Sequence, residues 1–479
     1  MVAFVTLWAG SGGWGAKLVL MPALLWLRRD LRRADHPALL AARKAADGEL
    51  AVLFVVDPAL WERGGPVRRA WLAASLAALE EDLDGRLLLR HGRPGEVVPR
   101  VAAELGAGSV HVTRETTPAG VRRDAAVREA LLDAGVEWVE TGTPYAVGPG
   151  LVRTRQGGHY KVFTPFSRAW REHGWSEPAA TPTSRRLPLV DLAGGRSEER
   201  ARSLLARAAD DDLPELPPAG EAAALGRWRD FLDGGIQDYD SARDRPDRAG
   251  TSRLSPYLKM GSVHPRTLLA DLADRSGAGV ETFVDELAWR EFYADVLHHH
   301  PRSAWADLRS ELAGLRYDAP EDALEAWKRG RTGYPVVDAG MRQLLATGWM
   351  HNRVRMVTAS FLTKDLHVWW PVGARWFLDR LVDGDVASNN HGWQWVAGTG
   401  TDASPYFRVF NPITQGERFD PRGDYVRRWV PELAHVPGKK VHQPWVVDDG
   451  YDHGYPRRIV DHAEERKEAL ARYEAARGG

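Results

Sequence analysis

Short apolar runs alternate with helical stretches from Ala23 to about residue 145, and this alternation constrains the fold more than any other feature of the chain. Ala23–Leu27, Leu50–Val56 and residues 86–89, 109–113 and 136–139 read as buried strands, with helical segments at 67–83, 95–105 and 119–134. Such alternation predicts an α/β domain: a parallel sheet with helices on both faces. Folds of this kind bind nucleotides or cofactors at the carboxyl ends of their strands. No GxGxxG and no P-loop is present, so neither dinucleotide binding by that fingerprint nor NTP hydrolysis is signalled.

Residues 175–220 are rich in Pro, Ser, Arg and Asp, including Pro178, Pro182, Pro188, Pro214, Pro217 and Pro218. They read as a long connecting segment. From Glu221 helical periodicity dominates, with one helix from near Val337 to Gly348 and another over 350–366. The expected organisation is therefore an extension at 1–20, an α/β domain at 21–150, a linker at 151–220 and an all-α domain at 221–479. Residues 1–20 lack the basic and apolar regions of a signal peptide, and Met21-Pro22-Ala23 offers a second start.

No run approaches the roughly 18–20 apolar residues of a membrane span. The 479 residues contain no cysteine, which excludes disulfides and thiolate chemistry and fits a reducing cytoplasm. Net charge is −1, so any nucleic-acid contact must come from a local patch. The chain has 20 tryptophans, enough to supply stacking platforms or electron relays beside the cores.

Five segments carry chemistry. Thr251-Ser252-Arg253-Leu254-Ser255-Pro256 reads as a helix start with Ser255 as N-cap, suited to a phosphate or simply capped. Tyr239 and Arg243 lie upstream on a polar stretch. On a helix, Glu286, Trp289, Arg290 and Tyr293 fall at i, i+3, i+4 and i+7, an acid–indole–guanidinium–phenol stripe able to stack a base and bond its edge. His298-His299-His300 point different ways on a helix, so no metal site is expected. In Trp349–Met356 a polar face with Asn352, Met356, Arg353 and Arg355 is available to phosphates or acids. Asp383-Gly384-Asp385 lacks the spacing of a calcium loop and reads as a turn whose carboxylates meet arginines or a ligand. Finally, Asp402–Pro412 leads into Arg408, Arg418, Arg422, Arg427, Arg428, Lys439 and Lys440, interleaved with Tyr406, Phe407, Tyr425 and Trp429. That mixture suits a DNA backbone or a solvated basic face.

These segments resemble the photolyase–cryptochrome family, and within it the bacterial class I dimer photolyases. Leu25-Trp26-Leu27-Arg28-Arg29-Asp30-Leu31-Arg32, YKVFTPF (160–166), TSRLS (251–255), ELAWREFY (286–293), GYPVVDAGMRQL (333–344), GWMHNRVRM (348–356), DGDVASNN (383–390) and GWQWVAGTGTDASPYFRVFNP (392–412) match in order. The resemblance implies an α/β antenna domain and a helical domain holding a U-shaped FAD, active as FADH⁻. Tyr239, Thr251, Ser252, Arg253, Leu254 and Ser255 would surround its phosphates and ribitol. Phe283, Arg355, Asp383, Gly384 and Asp385 would complete the site, with Asp383 paired to Arg355 and Asn389 facing flavin N5. Damaged DNA would be met by Arg243, Glu286, Trp289, Arg290, Tyr293, Asn352, Arg353, Met356, Trp395, Arg408 and Thr414. The implied reaction is light-driven splitting of cyclobutane pyrimidine dimers flipped out of the duplex.

Two departures bound this transfer. Trp393 and Trp370 match the first members of the family's photoreduction chain, but the surface position holds Tyr317, with Trp327, Trp369 and Trp376 as substitutes. Ala119-Gly120 stands where folate-binding members carry Asn-Glu, so the run from Thr117 to Asp124 favours 8-hydroxy-5-deazaflavin over methenyltetrahydrofolate as antenna. A cryptochrome photoreceptor is opposed by Asn389, a six-four photolyase by Asn352 and Met356, and a generic flavin protein by the 286–293 stripe. The expected protein is a cytoplasmic monomer without membrane attachment.

Overall fold

The computed structural model describes residues 21–46, 48–183, 187–210, 213–401 and 407–478. The expected extension at 1–20 and the stretch from Asp402 to Tyr406 lie outside them. Five parallel strands, β1 (Ala23–Leu27), β2 (Leu50–Val56), β3 (Leu87–His91), β4 (Ser109–Val112) and β5 (Glu137–Glu140), form a sheet in the order β3-β2-β1-β4-β5. Leu25 stands opposite Val52 on one side and His111 on the other. The order reverses direction between β1 and β4, which puts the topological switch at their carboxyl ends. β5 differs from the buried strand expected: its residues are exposed or half-buried, because it is an edge strand.

Helices α1 (Pro37–Ala45), α2 (Pro58–Glu62), α3 (Pro66–Asp82), α4 (Pro94–Leu105) and α5 (Pro118–Asp133) accompany the sheet. Each begins with proline at its first position, where the missing N–H costs nothing. Side chains alternate across β1. Leu24 and Trp26 join the core under α4 and α5, whereas Ala23, Leu25 and Leu27 join a core that runs on into the helical half. The segment read as a linker holds α6 (Phe163–His173) and α7 (Gly195–Asp210). Ala201, Leu205 and Ala208 give α7 a buried face, and its flanking prolines and dense charge hid that face in the sequence. Leu50 also pairs with Leu189, so this segment is laid against the sheet.

The helical half comprises α8 (Glu221–Gly234), α9 (Tyr239–Ala242), α10 (Ser255–Met260), α11 (Pro265–Asp271), α12 (Ala278–His299), α13 (Glu321–Lys328), α14 (Pro335–Thr347) and α15 (Asn352–Ser360). It continues through a π-helical turn at Phe361–Asp365 to α16 (Trp370–Arg380), α17 (Val386–Ala397), α18 (Pro412–Phe419), α19 (Asp424–Trp429) and α20 (His462–Gly478). No helix among the described residues is long and apolar enough to cross a membrane.

Helix α12 clamps the two halves together. Buried Glu291 accepts the backbone N–H groups of Ala146 at 3.1 Å, Val147 at 3.2 Å and Gly148. Asp295 accepts Gly150 N–H at 2.7 Å, and Arg290 donates to the carbonyls of Pro144 at 3.0 Å and Leu258 at 3.1 Å. Elsewhere the backbones touch: a Cβ on Gly261 would lie 2.0 Å from the Arg29 carbonyl oxygen, and one on Gly65 1.9 Å from that of Asp379. Truncating Glu291 would orphan three buried donors. Glu291→Ala is expected to cost about 2–4 kcal/mol, read as a lower denaturant midpoint, with Glu291→Gln losing less because it keeps an acceptor.

Candidate active site

Glu286 lies on the part of α12 facing α9. It accepts a charged hydrogen bond from Arg243 at 2.7 Å, and the Arg243 guanidinium lies 5.9 Å from the Tyr239 ring. Burial pushes the Glu286 carboxyl up, against the opposing pull of Arg243. Phe283 is buried, with ring centroids 5.1 Å from Trp228, 5.4 Å from Phe231 and 5.5 Å from Tyr239, so it props Tyr239 from behind. The rest of the expected stripe divides. Trp289 stacks on Phe163 at 3.7 Å and Tyr293 on His391 at 5.8 Å, while Arg290 is spent on the backbone clamp. Helical spacing places residues on one face but does not say which neighbour that face meets.

Leu254, not Ser255, is the N-cap of α10; Ser255 is its first helical residue. The Ser255 hydroxyl is thereby free to donate to Asp383 Oδ2 at 2.6 Å, the same oxygen that accepts from Arg355 at 2.9 Å. Asp383 Oδ1 is buried without a partner. Thr251 and Ser252 are half-buried. Arg253 between them and α10 has φ of 52°, a left-handed conformation strained for a side-chain-bearing residue, and its guanidinium lies 4.6 Å from the Trp349 ring. Gly384 is buried. Asp385 caps α17 through the N–H groups of Ala387 and Ser388 and pairs with Lys259 at 2.9 Å and Arg29 at 3.4 Å. Burial raises its proton affinity, but those two cations prevail and hold it well below the usual carboxylate range. On α17, Asn389 donates to the Ala374 carbonyl at 3.1 Å and to Asn390 at 2.8 Å, which leaves its side-chain oxygen to accept.

At the start of α15, Asn352 is exposed and Met356 half-buried. Arg353 forks onto Asp244 at 2.8 and 2.9 Å and lies 4.4 Å from the Phe419 ring. Sequence reasoning missed Asp244, although its signal is the alternating run Arg243-Asp244-Arg245. Arg408 lies 5.0 Å from Trp395, Arg418 5.0 Å from Phe419 and Arg428 5.3 Å from Trp429. Of the other rings expected among them, Tyr425 is instead buried in the core and Phe407 stacks on Tyr473 at 4.2 Å. Arg422 and Arg427 do not stand free, since both bind Asp424 at 2.8 Å. Thr414 is exposed in the first turn of α18, and Lys439 and Lys440 are also exposed.

Trp393 is buried against Phe377 at 4.9 Å and Trp327 at 6.2 Å. The Trp370 indole donates to Asp307 at 2.6 Å, and exposed Trp369 stands 6.4 Å from both Trp370 and Tyr317. At the sheet's switch point, Arg28, Arg29, Asp30, Thr113, Arg114, Glu115 and Pro144 enclose about 10 Å³, room for one water. Arg28 is occupied there by Asp124 at 3.1 Å and by Trp26 at 4.6 Å.

Residues 23–184 match the DNA photolyase family, and residues 283–475 match the FAD binding domain of DNA photolyase. The chain belongs to the DNA photolyase family. It is 45% identical over 466 residues to a deoxyribodipyrimidine photo-lyase of Streptomyces griseus, covering 95% of this chain and 99% of that one. It is 39% identical to the Escherichia coli enzyme of the same name, over 95% of this chain and 99% of that one. A bacterial class III photolyase from Agrobacterium tumefaciens superposes with a TM-score of 0.87 at 38% identity, covering 97% and 99% of the two chains. The Synechocystis cryptochrome superposes at 0.82 with 27% identity, over 94% and 99%. Membership makes the chain a photolyase-type enzyme with a C-terminal FAD-binding domain.

Two buried histidines flank the site. His351 Nδ1 accepts the Arg353 N–H at 3.2 Å, and His391 bonds the Ala387 carbonyl at 2.8 Å and the Ser303 hydroxyl at 2.9 Å. Burial lowers each to about 4 from 6.5. The fold therefore holds both neutral, and protonation favours the unfolded chain. Stability is expected to be intact above pH 6.5 and to fall as pH drops from there towards 4. In His351→Asn the amide oxygen can keep the cap, so denaturant unfolding across that range should show a shallower acid loss than wild type.

Proposed function

We propose that the protein repairs cyclobutane pyrimidine dimers in DNA, in light, using FAD held in the helical half. The observation that carries the reading is the pairing of a polar cradle at Ser255, Asp383 and Arg355 with a carboxyl of raised proton affinity at Glu286. The cradle suits the cofactor: the unpartnered, buried Asp383 Oδ1 calls for a donor such as a ribityl hydroxyl or a ring N–H. Tyr239, Thr251, Ser252, Arg253 and Ser255 would hold the phosphates and ribitol, and the free oxygen of Asn389 would accept from the flavin ring. Held there in its reduced form, FAD would supply the light-driven electron transfer to the dimer and its return.

The chain's own groups bind, orient and balance charge. Glu286, whose proton affinity burial raises against the pull of Arg243, would hydrogen-bond a pyrimidine carbonyl edge and steady the negative charge that gathers on the dimer. Asn352 bonds the opposite carbonyl edge, and Met356, Trp289 and Trp395 offer apolar surface to the flipped bases. Arg243, Arg408 and Thr414 meet the backbone, and Arg353 does so only where it leaves its carboxylate partner Asp244. Asn352 and Met356 favour the dimer over the six-four lesion, and Asn389 favours repair over a photoreceptor role. Trp393, Trp370 and Tyr317 would relay electrons from an external reductant to oxidised flavin, with Trp369 between the last two.

For the antenna we propose 8-hydroxy-5-deazaflavin in the α/β domain, on the residues from Thr117 to Asp124. The archaeal photolyase of Sulfolobus tokodaii, which superposes with a TM-score of 0.82 at 30% identity, holds two FAD molecules. A second chromophore of flavin type is the other candidate. Chromophores released by denaturation and read by absorption and fluorescence decide between them, and a folate spectrum would sink both.

The repair assay uses photoreduced protein, a thymine-dimer oligonucleotide and blue light. Dimer loss in light but not in darkness is expected; repair of six-four products alone would overturn the proposal. Glu286→Ala should slow dimer loss by roughly one to two orders of magnitude while visible absorbance shows FAD retained. Loss of FAD in that variant would mean Glu286 belongs to the cofactor cradle instead.

A further inference from the structure

The charged rim of the site cancels itself. Glu286 takes Arg243, and the next residue, Asp244, takes Arg353. The second pair is the more complete: Arg353 gives Nη2 to both carboxylate oxygens at 2.8 and 2.9 Å and Nε to one at 3.2 Å. Its side chain is 20% exposed and that of Asp244 36%, so the pair sits at the surface within reach of a ligand. The Phe419 ring under the guanidinium holds its plane. Arg253, resting on Trp349, and Arg418, resting on Phe419, lie along the same rim.

A phosphate wants the same fork that Asp244 now fills, because carboxylate and phosphate are bound by guanidinium in the same two-pronged way. To meet Arg353, a DNA backbone must displace Asp244 or approach beside a fixed negative charge. Either route removes the gain of that contact. We propose that Asp244 is an affinity-setting residue: it caps Arg353, withholds one phosphate contact from DNA, and so limits how tightly the protein holds any duplex. A repair enzyme must leave undamaged sites, and affinity for those sites is built almost wholly from phosphate contacts. This inference rests on the reading of the site as a DNA surface.

Asp244→Asn tests it, since the amide is isosteric and can still accept one hydrogen bond from Arg353. Binding of an undamaged duplex is measured by fluorescence anisotropy over a salt series. The variant should bind several-fold more tightly at about 0.1 M salt, and the slope of log K against log salt should steepen by about 0.9, one added phosphate contact. Adding Arg353→Gln should erase both gains. Unchanged or weaker binding with an unchanged slope, in a protein that still repairs dimers in light, would overturn the capping role alone. Wild-type protein that binds duplex with this salt response but repairs nothing would count against the repair reading and leave Asp244 in place. A wild type that binds no DNA would overturn both.

Discussion

Three backbone N–H groups pointing at the Glu291 carboxylate tie the α/β half to the helical half. The stretch after β5 must leave the sheet and cross into the helical half, and in doing so it buries backbone donors that no ladder can satisfy. Glu291 answers that need from the middle of α12, with Asp295 taking Gly150 one turn later and Arg290 taking the Pro144 carbonyl from the same helix. Because Glu286 is on that helix too, the position of its carboxyl is tied to the junction between the halves. A displaced clamp would move Glu286 relative to Asp383 before any site residue changed.

Asp383 and Asp385 show how two carboxylates two residues apart come to opposite tasks. Asp385 lands at the N-cap of α17, where its oxygen takes the first free N–H groups of the helix. Lys259 and Arg29 then neutralise it, so it becomes the bolt joining α10, α17 and the loop after β1. Asp383 has one oxygen bound by Ser255 and Arg355 and the other buried without a partner. One tripeptide thus carries a carboxylate spent wholly on the fold and another with a buried oxygen left unpartnered.

The legible and illegible parts of this chain differ in physical kind. β1 and β2 stood out to the residue because continuous apolar runs between polar turns have few other uses, and α14 ended at Gly348 because only a left-handed cap suits that point. Helix α7 is hidden because only a few small or aliphatic residues, Ala201, Leu204, Leu205 and Ala208, face its core amid charges. In the site, residue types were legible and their partners were not. The stripe at 286–293 is a correct statement about spacing, yet Arg290 turns inward onto the carbonyls of Pro144 in the crossing loop and Leu258 in α10. Arg353 was visible as a cation, whereas its dependence on Asp244, 109 residues away, is a fact of packing.

A chain of net charge −1 can still present a basic surface if its acids are spent in the right places. Here Asp424 ties up Arg422 and Arg427 beside α19, Asp383 takes Arg355 in the pocket, and Asp385 takes Arg29 at the junction. Arginines resting on rings, such as Arg253 on Trp349 and Arg428 on Trp429, follow another rule: a ring face orients the guanidinium without neutralising it. Such cations keep their full charge for an incoming phosphate, while those on carboxylates release it only in exchange. The distribution of partners, more than the count of lysines and arginines, therefore decides where a polyanion can settle, and that distribution gathers around α15, α18 and α19 at the rim of the Glu286 site.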